Sequence, residues 1–140
     1  MIKKIVTSFL ITFIVVAMAT KIVLINVPQE TPVIPDGNVV VFCHAKVHCT
    51  MCNTLLSLVK EVLKKQESID LKLVMLEYDS QTNQEFVEQF SVGTTAIILL
   101  EQKNGQTVRS SNITSDVWKC VGNESSFTEM LETKLSEFFK

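Results

Sequence analysis

Apolar and polar positions fall along this chain in blocks of different period, and each block predicts an element. Val39-Val40-Val41-Phe42-Cys43 is apolar throughout and largely β-branched. A run of that kind suits a strand covered on both faces, as in a parallel sheet. Over residues 49–65 the period becomes helical: Leu55, Leu56, Val59, Val62 and Leu63 share one face, with Lys60, Glu61, Lys64 and Lys65 opposite. Residues 69–78 predict a second strand ending at Asp79, and residues 82–90 a short helix. Residues 96–100 are apolar without a break. Lys103-Asn104-Gly105-Gln106 then predicts a hairpin turn, because Asn-Gly readily takes the positive φ angles of a tight loop. Residues 107–111 return beside it, and residues 125–139 close as an amphipathic helix with Phe127, Met130, Leu131, Leu135 and Phe138 inward.

The resulting order, β-α-β-α-β-β-α, is that of the α/β thioredoxin-like fold: a central, mostly parallel sheet finished by a hairpin. Residues 38–140 are expected to form that domain. Pro28, Pro32 and Pro35 lie within eight positions and exclude helix or central strand, so residues 28–37 read as a linker. Residues 1–27 read as a signal peptide or membrane anchor. Lys3 and Lys4 precede an apolar stretch from Ile5 to Val16, and Ala17-Met18-Ala19 fits a cleavage site. If Lys21 snorkels to the interface, the apolar run through Val27 is also long enough to span a bilayer. Both readings export the remainder and predict an extracytoplasmic location, periplasmic or on the outer face of the membrane. With 140 residues and a formal net charge of −2, the chain offers one globular domain and no basic face for nucleic acid.

Cys49-Thr50-Met51-Cys52 stands where the first strand hands over to the helix, the place of a redox-active Cys-x-x-Cys pair. A thiol at a helix N-terminus meets unpaired backbone N–H groups and the positive end of the macrodipole, which favour the reactive thiolate. Cys49, nearer the helix start, is the expected nucleophile, and Cys52, one turn in, the resolving thiol. His48 adjoins Cys49, where an imidazolium would lower the thiol pKa further. A purely structural disulfide is the alternative.

Phe42-Cys43-His44, Cys49-Thr50-Met51-Cys52, Glu77-Tyr78-Asp79, the apolar stretch from Ala96, and Val117-Trp118-Lys119-Cys120 follow in that order. On those residues the chain resembles the thioredoxin-like family called nitrophenyl compound nitroreductase subunit, ArsF type, over about residues 39–139. The resemblance implies a thioredoxin-like fold and an exported dithiol, with His44, Cys49, Cys52 and Trp118 in matching places and His48 where the family carries Arg. Two departures from ordinary thioredoxins follow. Cys43 stands where they have a buried acid, and Val92-Gly93-Thr94-Thr95-Ala96 lacks the cis-proline that faces their disulfide, leaving Thr95 or Ala96 in its place.

The expected function is thiol–disulfide exchange with a client or reductant protein. Cys49 and Cys52 are catalytic in that reading, and His48, His44, Thr95 and Ala96 tune the thiols or meet the substrate; no cofactor is implied. A rival reading takes His44, His48, Cys49 and Cys52 as a zinc or copper site of an extracytoplasmic carrier, since imidazoles and thiolates suit those metals. A third makes the domain a non-catalytic accessory subunit. Cys43 and Cys120 read as buried inert thiols, and Asp79 as a turn cap rather than part of an acid–base pair.

Overall fold

The computed structural model describes residues 32–140 except His48 and Glu67; the signal or anchor expected over residues 1–27 lies outside them. The elements are β1 (Gly37–His44), α1 (Thr50–Lys65), β2 (Leu71–Glu77), a 3₁₀ turn (Gln81–Asn83) running into α2 (Gln84–Gln89), β3 (Ala96–Lys103), β4 (Gln106–Asn112), α3 (Thr114–Cys120) and α4 (Glu124–Phe138). The sheet order is β2-β1-β3-β4. β1 runs parallel to β2, with His44 opposite Glu77, and antiparallel to β3, with Cys43 opposite Ala96. β3 and β4 are the antiparallel hairpin. This is the thioredoxin-like arrangement.

The unbroken apolar run of β1 reflects its central place. Val40 and Phe42 face a core layer built with Leu55 and Val59 of α1 and Phe127, Leu131 and Leu135 of α4. Val39, Val41 and Cys43 face the other layer, with Leu76, Phe86, Ile98 and Leu100. Successive side chains point to opposite faces, and both faces are covered. β2 has a strand on one side only, and Leu71, Leu73 and Val74 are accordingly half-buried with Met75 exposed.

Several boundaries differ from the sequence expectation, and one helix is new. β1 opens at Gly37, so the last position assigned to the linker is strand. Asp36 is tied down as well, its carboxylate accepting from the N–H groups of Asn104 and Gly105 at 3.0 and 2.9 Å. The hairpin loop is just Asn104-Gly105, both with positive φ, and the strands on either side are correspondingly longer than expected. Helix α1 starts at Thr50 and leaves Cys49 as its N-cap. Helix α3 was not anticipated: its seven residues bury a single one, Val117, which gives too little periodicity to see. Among the described residues no helix is long and apolar enough to cross a membrane.

Candidate active site

The site begins with a capping problem. The first N–H groups of α1 have no partner within the helix, and its first turn carries no acidic side chain. Cys49 fills the gap. Its backbone is extended, and its Sγ accepts from the Cys52 N–H at 3.2 Å. The same contact that caps the helix therefore brings a sulfur to its positive end.

Cys49 is exposed and Cys52 is buried, yet their sulfurs are 2.7 Å apart. Thr95, buried just before β3, places its hydroxyl 3.3 Å from the Cys52 Sγ. Burial pushes the Cys52 thiol up, but hydrogen bonds from the Cys49 thiol, the Thr95 hydroxyl and backbone N–H groups outweigh it, leaving the pKa below the ordinary thiol value. Because the two sulfurs are in contact, this lowered ionisation belongs to the pair. The dithiol can thus carry one negative charge held by donors on both sides.

Of the two residues left open at the missing proline, Thr95 faces the dithiol. Ala96 is buried in the layer beneath, across from Cys43. Cys43 is fully buried, and desolvation pushes its pKa up to about 12. It stays a neutral thiol at ordinary pH and cannot take up a proton as a buried carboxylate can. His44 ends β1, buried, with its Nδ1 donating to the Ala45 carbonyl at 2.9 Å and its ring beside Phe42. His48 lies outside the described residues. Among the described residues, no group of three His, Cys, Asp or Glu side chains could hold a metal ion.

Two positions before and after Cys49 in sequence, Val47 is 83% exposed and Met51 47% exposed. Beside the start of α1 a cavity of about 430 Å³ runs to the α3–α4 connection, walled by Met51, Leu55, Leu58, Cys120 and Phe127. Half-buried Cys120 thus lies in the wall of a groove that starts between the two thiols in sequence. Trp118 is 40% exposed and does not line it. At the other edge, Asp79 receives the Lys46 N–H on both carboxylate oxygens, at 2.9 and 3.0 Å. Neither the groove nor the Asp79 contact could be read from the sequence. The only hint of the second is that parallel pairing brings the ends of β1 and β2 together.

No family model matches this sequence, and no curated protein matches it. Among solved structures, the chain is similar to the germline-specific thioredoxin Deadhead of Drosophila melanogaster, with 20% identity over 70% of this chain and 81% of that one, TM-score 0.46. Mitochondrial thioredoxin 3 of Saccharomyces cerevisiae gives 15% identity over 61% and 77%, TM-score 0.41. Thioredoxin f2 of Chlamydomonas reinhardtii gives 16% over 71% and 86%, TM-score 0.39.

Proposed function

We propose that this protein is a thiol–disulfide oxidoreductase that exchanges disulfides with a client or reductant protein. One observation carries the reading: an exposed helix-capping sulfur, Cys49, in contact with a buried sulfur, Cys52, that a hydroxyl also holds. Although the lowered pKa falls on Cys52, the buried sulfur is poorly placed to meet a client. Cys49 is exposed and caps the helix start, so it is the sulfur that attacks.

In the oxidative half-reaction the Cys49 thiolate attacks a client disulfide, and one client sulfur leaves and takes up a proton. Cys52 then gives up its proton and attacks the Cys49 sulfur of the mixed disulfide. The second client thiol is released, the protein holds Cys49–Cys52 as a disulfide, and two electrons have passed to the client. The reverse sequence oxidises a client dithiol. The segment over residues 1–27 supports an extracytoplasmic setting, either as a removed signal or as a membrane tether. The resemblance to a nitroreductase subunit adds no residue to this chemistry, so nitro-group reduction is not part of the proposal.

The test is a redox titration of the metal-stripped full chain in glutathione buffers, with Cys49 and Cys52 trapped by alkylation. A reversible two-electron transition between about −120 and −270 mV, the span of catalytic dithiols, is the expected result. A pair locked as a disulfide throughout, or one that never forms it, would leave a structural bridge, a metal carrier or an accessory subunit.

A further inference from the structure

We infer that Asp79 is a positioning residue for Cys49, acting through the loop that delivers it. The assignment rests on the thiol-exchange reading above and concerns how the exposed sulfur is held in place.

Between His44, the last residue of β1, and Thr50, the first of α1, the chain makes a five-residue connection. Its far end must be accurate: the Cys49 Sγ has to meet both the Cys52 N–H and the Cys52 sulfur. Its near end is fixed by the sheet, where the Tyr78 N–H donates to the His44 carbonyl at 2.9 Å. Two residues past His44, the Lys46 N–H donates to both oxygens of Asp79. That bond ties the loop to a segment 33 residues further along the chain.

The holding group is itself held. The Asn83 side chain donates to the Glu77 carbonyl at 2.8 Å, and the Ser80 and Asn83 N–H groups close the same turn. Asp79 thus sits on a braced corner at the end of β2. A carboxylate with two acceptors also tolerates small rotations of the loop without losing the bond, and charge-assisted bonds of this kind are the stronger ones. Released at Lys46, the loop would let Cys49 leave the cap, and the sulfur pair would lose the donors that favour its charge.

The experiment measures the alkylation rate of reduced Cys49 against pH in the full-length chain, in the Cys120→Ser background, for wild type, Asp79→Asn and Asp79→Ala. Asp79→Ala is expected to slow alkylation at neutral pH about tenfold and to move the profile to higher pH, as loss of hydrogen-bonded placement at a charged site would. Asp79→Asn keeps a carbonyl oxygen for the Lys46 N–H and should stay within about twofold of wild type. A wild-type rate and profile in Asp79→Ala overturns the assignment. So does a tenfold loss in Asp79→Asn, which would make the charge rather than the hold responsible. If Asp79→Ala does not fold, Lys46→Pro, which removes the donated N–H, takes its place under the same limits. A wild-type chain without a reversible dithiol transition sinks the oxidoreductase reading instead, so the two failures are distinct.

Discussion

At Thr95, one oxygen separates a tuned thiol from a merely buried one. Cys52 would be pushed up by desolvation, and the Thr95 hydroxyl is among the donors that reverse the direction. Thr95→Val keeps the shape and removes the donor. A hydrogen bond to a charged group is worth about 1.5–3 kcal/mol, so the pH profile of thiol reactivity should rise by about one pH unit or more. A profile that does not move would mean that Thr95 only packs. Cys43 gives the opposite case. Its pKa lies near 12 when folded, against 9.0 for a free thiol. A raised value means the folded state keeps its proton longer, so the stability is complete below pH 9 and drains away as pH rises towards 12. Three pH units at about 1.36 kcal/mol each make this roughly 4 kcal/mol by the upper limit. Alkaline denaturation should therefore be flatter in Cys43→Ala, which has no group to titrate, even though the cavity lowers its stability at neutral pH. Equal slopes in the two proteins would count against this account.

The elements show where a sequence speaks and where it is silent. Strand β1 was legible because both of its faces are covered and every position from Val39 to Cys43 is apolar; α1 and α4 were legible because each has one buried stripe. Helix α3 was not, since Val117 alone is buried and one residue has no period. The Cys-x-x-Cys spacing placed both sulfurs on the same helix start, whereas Thr95 and Asp79 reach the site across gaps of 43 and 33 residues. Such contacts depend on sheet register: Thr95 was expected near the dithiol only because it or Ala96 takes the place of the proline that thioredoxins carry, and nothing in the sequence pointed to the Asp79 contact. The cap of α1 carries a prediction of its own. Cys49 serves both as helix cap and as proposed nucleophile, and substitution separates the two. Serine is a strong N-cap, whereas alanine costs about 1 kcal/mol there. Thermal melts of the reduced proteins should put Cys49→Ser at or above wild type and Cys49→Ala below it, while both lose exchange activity. Equal melting of the two variants would show that the sulfur does not act as a cap.

For the molecule as a whole, the question is how far the dithiol depends on the core beneath it. The fold delivers three things to one end of the sheet: the helix start with Cys49 and Cys52, the Thr95 hydroxyl ahead of β3, and the braced corner at Asp79. Each is fixed by bonds local to that end. Leu100 is fully buried in the layer with Val39, Val41 and Phe86. It lies four residues along β3 from Ala96, or roughly 13 Å at a strand's rise per residue. Leu100→Ala should remove about 2–5 kcal/mol of stability through lost burial and a residual cavity. Since no bond to the sulfurs passes through Leu100, the reduction potential of the folded protein should stay within about 10 mV of wild type, under 1 kcal/mol for a two-electron couple. Denaturant unfolding and a glutathione titration on the same preparation measure both quantities. A potential that moved with stability would mean that strain from the far end of the sheet reaches the dithiol, and that the site is set by the entire core rather than by its own caps and donors.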